Sequence, residues 1–162
     1  MMYLSARELI SLAAGIEKSG AAYYESLAGA RCDQTVRHVY EYLAGQEREH
    51  LATFETMLSP AGDYSLPDIY TEEYDNYMKS LVGSSVFTDD RVARDMAKAA
   101  GSEAEAIQIA IGAEKDSILL YLEIRELVRR SDADVLRNII EEERSHLRQL
   151  SEIKKSLIGR RV

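Results

Sequence analysis

Apolar side chains recur every three to four positions through most of this chain. Leu9, Ile10, Leu12, Ala13, Ile16, Ala22, Tyr23 and Leu27 make one such series, a stripe about 100° wide on a helical wheel. They predict a long helix over 4–30. The stretch "GARCDQ" breaks it, with Asp33 as an acceptable N-cap. Val36, Val39, Tyr40, Leu43, Leu51, Phe54 and Leu58 then carry the same spacing through a second helix over 33–58. The text is irregular over 59–101, with Pro60, Gly62, Pro67 and four tyrosines, and short helices are expected around 72–81 and 90–100. A Ser-x-x-Glu start at Ser102 opens a third long helix over 102–130, a pattern that satisfies two free amides at a helix start. Asp132 opens a fourth over 132–158.

Connection lengths select the topology. Helices of this size are roughly 38 Å long, and the short breaks after the first and third force each pair to run antiparallel. The middle connection of about 40 residues is long enough to return along the bundle, so helices two and three run parallel. An all-α four-helix bundle with one long crossover is the ferritin-like arrangement, not the up-down-up-down one. A single domain over 1–162 is expected.

The chain also repeats itself. "AAGIEKSGAAYYE" from Ala13 aligns with "AIGAEKDSILLYLE" from Ala110, which sets Gly15 over Gly112, Glu17 over Glu114 and Tyr24 over Tyr121. "GQEREH", ending at His50, aligns with "EEERSH", ending at His146, which sets Glu47 over Glu143. One helical hairpin used twice and paired about a pseudo-two-fold axis gathers Glu17, Glu47, Glu114 and Glu143. The two Glu-x-x-His pairs bring His50 and His146 with them.

Composition narrows what such a cluster can do. With 46% apolar and 30% charged residues, the chain has the balance of a folded domain and not of a disordered one. A formal net charge of −8 with no Lys/Arg stripe speaks against nucleic acid as a partner. There is no basic leader and no apolar run long enough to span a bilayer, so a cytoplasmic protein with no membrane partner is expected. Cys32 is the single cysteine, which excludes an internal disulfide and a four-cysteine metal site within one chain. Any metal must be held by oxygen and nitrogen.

Residues three apart on a helix project from one face one turn apart, so each Glu-x-x-His pair can clasp one metal. Four carboxylates in a bundle interior repel one another unless cations neutralise them, and two divalent metals balance four carboxylates. Imidazole and carboxylate without thiolate suit iron or manganese and tolerate zinc. A lone Glu-x-x-His is ordinarily a surface charge pair; two of them, in register with two repeated glutamates, point to metal. In helix-bundle di-metal sites one Glu comes from each of two helices and a Glu-x-x-His from each of the other two, and that inventory is complete here.

The remaining features leave alternatives open. Tyr24 and Tyr121 lie two turns beyond Glu17 and Glu114; they either hydrogen-bond the ligands and carry electrons or are core tyrosines with a satisfied hydroxyl. Gly15 and Gly112 each cost about 1 kcal/mol mid-helix, which close helix approach or an oxidant channel would equally explain. His38 has no partner at ligand spacing and reads as structural or exposed. Glu25, Glu49, Glu123, Glu141 and Glu142 read as charges on solvated faces, and nothing near Cys32 marks an activated thiol.

On these residues the chain resembles the di-iron domain of the rubrerythrin group, within the ferritin-like superfamily, over almost its whole length. The resemblance implies two iron ions. Glu17 and Glu114 would be terminal carboxylates, Glu47 and Glu143 would bridge, and His50 and His146 would take one metal each. It implies reduction of hydrogen peroxide or dioxygen, or oxidation of Fe(II). Rubrerythrins proper also carry a small domain with paired Cys-x-x-Cys motifs that delivers electrons; its absence here implies a separate protein as electron donor. They keep a further carboxylate three residues after the helix-three ligand, where this chain has Ser117. Asp116 is next to it but about 100° around the helix. The remaining set resembles the more symmetric bacterioferritin-type centre.

Three functions follow as expectations. The favoured one is a di-iron oxidoreductase of peroxidase or oxidase type, a homodimer or small oligomer. The second is a ferroxidase for iron storage or detoxification, which predicts a large hollow assembly, against which the bulky segment 59–100 weighs. The third is a metal-free helical interaction module, for which removing Glu17 or Glu114 would leave stability unchanged or raise it.

Overall fold

Ser5 opens the first helix with a reciprocal cap. Its hydroxyl accepts from the Glu8 amide at 3.1 Å, and the Glu8 carboxylate accepts from the Ser5 amide at 2.7 Å, satisfying two donors that a helix start leaves free. The computed structural model describes residues 3–30, 33–59 and 70–159. Its described residues form α1 (Ala6–Gly29), α2 (Gln34–Met57), α3 (Glu72–Gly83), α4 (Asp90–Ala99), α5 (Glu103–Leu127) and α6 (Arg130–Gly159). Asp33, Thr71, Asp89 and Ser102 cap α2 to α5 through their side-chain oxygens. The cap at Ser102 is not reciprocal, because the Glu105 carboxylate reaches one residue further back, to the Gly101 amide.

α6 starts two residues ahead of the expected Asp132. The break from α5 is made by the extended backbone of Val128, and Asp132 sits in the first turn of α6, where a negative charge suits the helix dipole. Arg129 pairs with it at 3.1 Å. Cys32, Pro60, Gly62 and Pro67 lie outside the described residues.

The core consists of two apolar layers, and their membership fixes the topology. One layer joins the early part of α1 (Leu9, Ile10), the late part of α2 (Phe54, Met57), the late part of α5 (Leu120, Ile124) and the early part of α6 (Leu136, Ile140). The other joins late α1 (Tyr23, Leu27), early α2 (Tyr40, Leu43), early α5 (Ile107, Ala110) and Leu150 of α6. α1 is therefore antiparallel to α2 and α5 to α6, while α2 and α5 run parallel: the ferritin-like order with one long crossover, as the connection lengths require. Fully buried side chains such as Leu9, Phe54 and Leu136 contribute about 1.5–3 kcal/mol each, which lets the bundle carry a polar layer between them.

The two short helices of the crossover are tied down by polar contacts as well as packing. α4 lies along α1 and α3 along α5. Asp75 of α3, 2% exposed, accepts from the Leu4 amide at 2.7 Å and the Tyr70 hydroxyl at 3.0 Å, and pairs with Lys79 at 2.5 Å. The hydroxyls of Tyr74 and Tyr77 donate to Glu123 on α5. Glu123, read in the sequence as a solvated charge, is instead the anchor of α3. Its partners come from a distant segment, which local spacing does not reveal. Among the described residues no helix is long and apolar enough to cross a membrane.

Candidate metal centre

Between the two apolar layers the bundle interior turns polar. Glu17, Glu47, His50, Glu114, Glu143 and His146 are each at most 4% exposed, so the structure brings all six sequence candidates into one buried cluster. One ligand atom from each of Glu17, Glu47, His50 and Glu143 lies within 4.8 Å of the others, and so does one from each of Glu47, Glu114, Glu143 and His146. The two groups share Glu47 and Glu143. That arrangement can hold two cations, each with one carboxylate and one imidazole of its own and two carboxylates in common.

Both imidazoles aim Nδ1 at the carboxylates. His50 Nδ1 is 2.8 Å from Glu143 and 3.4 Å from Glu17. His146 Nδ1 is 3.2 Å from Glu143 and 3.7 Å from both Glu47 and Glu114. The far side of His50 is held by Glu142, whose carboxylate lies 2.7 Å from Nε2. Glu142 was expected on a solvated face; it is half exposed, yet it fixes the tautomer and plane of the ring, as partners of metal-facing histidines do. At the matching position α2 has Gln46, which bonds Glu49 at 3.2 Å instead.

The tyrosines hydrogen-bond the cluster carboxylates, in a crossing that sequence does not show. Tyr24 of α1 donates to Glu114 of α5, and Tyr121 of α5 donates to Glu17 of α1. Each binds the carboxylate of the opposite helix. Burial first, and then the charges of the neighbouring carboxylates, push both hydroxyls far above their usual range, so they remain donors.

Electrostatics describe a cluster short of positive charge. Burial, and next the Glu143 carboxylate, raise Glu17 and Glu47 well above the ordinary carboxylate range and Glu114 to about 8. Burial lowers His50 and His146, but their hydrogen bonds and charge contacts with the carboxylates outweigh it and raise them to about 9 and about 10. Glu143 goes down: burial opposes its ionisation, and hydrogen bonds from Glu114, His146 and His50 overcome that. Glu17 Oε2 and His146 Nε2 are buried without a hydrogen-bond partner, while His50 Nδ1 and Glu143 Oε1 have only each other, 2.8 Å apart; an unsatisfied buried polar group costs about 1–3 kcal/mol. The chain thus presents unspent oxygen and nitrogen lone pairs around one small volume, a donor set that fits two divalent ions of the iron or manganese type.

Small residues shape the space around the acids. A Cβ at Gly20 would lie 3.1 Å from Glu47 Oε2, so α1 makes room for that carboxylate by omitting a side chain. Gly20 lies three residues after Glu17 on the same helix face, and that spacing is the only sequence signal that marks it. Ser117 occupies the matching place on α5, buried, its hydroxyl donating to the Ala113 carbonyl. Asp116 turns away from the cluster and accepts from the Val86 amide at 2.7 Å. His38 is exposed.

The sequence profile of the rubrerythrin family matches residues 8–154. In fold the chain is similar to a Thermotoga maritima protein assigned to the ferritin-like diiron-carboxylate class, with 23% identity over 96% of this chain and 97% of that one and a TM-score of 0.69. It is also similar to a hypothetical protein of Pyrococcus furiosus, with 19% identity over 96% of this chain and 91% of that one and a TM-score of 0.67. At those identities the likeness is one of fold. No curated protein matches the chain.

Proposed function

Since the chain belongs to the rubrerythrin family, we propose that it is a non-haem di-iron oxidoreductase that reduces hydrogen peroxide or dioxygen with electrons from a separate protein donor. The observation that carries this reading is the pair of interlocked donor groups sharing Glu47 and Glu143. Glu17 and His50 complete one position, and Glu114 and His146 the other. Iron held there would supply the redox chemistry, one electron per ion, enough for the two-electron reduction of peroxide to water once a donor restores it.

The chain's own residues do the rest. Tyr121 and Tyr24 keep one oxygen of Glu17 and of Glu114 engaged, leaving the other oxygen of each carboxylate to face the cluster. Glu142 holds the His50 ring so that Nδ1 faces inward. The apolar layers above and below keep bulk water out, which strengthens every charge interaction inside. A cytoplasmic homodimer goes with this reading, and a closed cage by sedimentation would favour iron storage instead.

The test is metal content and the visible spectrum of anaerobically iron-loaded protein, before and after one equivalent of hydrogen peroxide. We expect about two irons per chain, as in other bundle di-metal sites, and fast growth of a near-ultraviolet charge-transfer band that Glu47→Ala and His146→Ala abolish. Protein that takes up no stoichiometric iron, or shows no mutant-sensitive band, would overturn the reading.

A further inference from the structure

Gly15 and Gly112 are matched positions of the internal repeat, yet the structure uses them differently. A Cβ at Gly112 would meet Val86 at 3.1 Å, so there the crossover approaches α5 closely. A Cβ at Gly15 would meet nothing within 4 Å. A mid-helix glycine with no neighbour to accommodate leaves open space, and Gly15 borders a cleft of about 320 Å³ between α1 and residues 82–88, with Ser11, Thr88, Ile16 and Phe87 also in its wall. Deeper in the bundle is a space of about 10 Å³ whose wall includes Gly20, Glu47, Glu114 and Ser117. Ile16 and Phe87 belong to both walls.

From this juxtaposition we infer that hydrogen peroxide reaches the centre through the Gly15 cleft, past a gate formed by Ile16 and Phe87, and meets the cluster at its Glu47–Glu114 edge. The inference rests on the function proposed above and names the route and size class of its oxidant. The inner space has about the volume a single water needs, so the route suits only oxidants of a few heavy atoms and leaves no room for organic hydroperoxides. Gly20 and Ser117, the small residues three positions beyond Glu17 and Glu114, are what leave that inner space open. The gate is firmly mounted. Phe87 packs on Tyr23 with ring centroids 4.8 Å apart, and the neighbouring Val86 amide is fixed by Asp116.

Two variants test the route without touching the ligand set. Phe87→Ala removes the gate, and Gly15→Leu fills the cleft from an exposed helical position where leucine favours the helix. Each is loaded with Co(II), and the rate at which azide perturbs the cobalt visible bands is followed by stopped flow; the Fe(II)-loaded forms are then oxidised with hydrogen peroxide or cumene hydroperoxide. Gly15→Leu is expected to slow azide and hydrogen peroxide by about tenfold at unchanged Co(II) stoichiometry. Phe87→Ala is expected to raise the cumene hydroperoxide rate by about tenfold or more, with a smaller change for hydrogen peroxide. Unchanged azide rates and unchanged hydroperoxide selectivity in both variants, in protein that binds cobalt and reacts with peroxide, would overturn the route and leave the function standing. Wild-type protein that takes up no Co(II) would overturn the function and the route together.

Discussion

Among the described residues two acidic sites are buried, and they are opposites. At Asp75 both carboxylate oxygens are engaged, by the Leu4 amide and Tyr70 hydroxyl on one and the Lys79 ammonium on the other. Its pKa is lowered: burial opposes ionisation, but Lys79, the Leu4 amide and Tyr70 outweigh it. At the bundle centre four carboxylates and two imidazoles face one another, and Glu17, Glu47 and Glu114 are raised because burial and like charge prevail. Burial alone therefore does not distinguish a functional acid from a structural one. The distinction lies in whether its lone pairs are already spent on the protein.

The largest expected effect separates the two sites by metal. Glu143 belongs to both donor groups and contacts both histidines, so Glu143→Ala should abolish stoichiometric iron or manganese uptake. With it should go the stabilisation that metal gives, about 4 kcal/mol when free metal is a thousandfold above its Kd, read as the difference in thermal unfolding with and without metal. Asp75→Asn should destabilise by about 1–3 kcal/mol, discounted for the solvent around Lys79, with metal stoichiometry unchanged. A Glu143→Ala protein that still binds two metals would erase the contrast. The metal-free interaction module makes the opposite forecast, unchanged or greater stability on losing Glu17 or Glu114, and the same melts decide it.

A second, smaller effect is the direction of the pH dependence. In metal-free protein Glu17, Glu47 and Glu114 have folded-state pKa values above their ordinary 4.5, Glu114 reaching about 8, and His50 and His146 rise from 6.5 to about 9 and about 10. A raised folded pKa means stability fully present below the unfolded value and lost as pH rises through the folded one. The melting temperature of the metal-free protein should therefore fall as pH climbs from about 4.5 towards 10, and bound metal should flatten that fall. Asp75 and Glu143 are lowered from 3.8 and 4.5; their contribution is present above those values and is lost only in more acid solution. A metal-free melting temperature that rises across the neutral range would show the central acids to be as well paired as Asp75.

The same contrast explains what could be read from sequence. The central cluster was legible because its residues recur at fixed spacing within a duplicated hairpin, so Glu17, Glu47, His50, Glu114, Glu143 and His146 were all identifiable from periodicity and repeat. The four long helices and their order were legible because connection lengths constrain direction. Asp75, Glu123 and Glu142 were not legible as partners. Each acts across elements, on Leu4, on Tyr74 and on His50, and no local period marks a contact whose other half lies elsewhere in the chain. The crossed tyrosines show the limit most clearly: spacing tied Tyr24 to Glu17, whereas packing ties it to Glu114.

Gly20 offers the finest test, because one methyl group sets helix propensity against the cluster. Replacing a mid-helix glycine by alanine should stabilise by about 1 kcal/mol, or roughly 2–4 °C for a chain of this size. The new Cβ would stand 3.1 Å from Glu47 Oε2 and 3.2 Å from its Cδ, closer than ordinary contact, so the carboxylate must shift. In metal-free protein, where no cation constrains Glu47, that shift is cheap, and Gly20→Ala should melt higher. With metal bound, Glu47 is shared between both positions and has no freedom to move, so affinity should fall by about tenfold, equivalent to roughly 1.4 kcal/mol. Gly83→Ala in the crossover, where nothing lies within 4 Å, should show the propensity gain without the loss of affinity. A Gly20→Ala variant that gains stability and binds metal as tightly as the parent would mean that Glu47 is not held where the interlocked geometry places it.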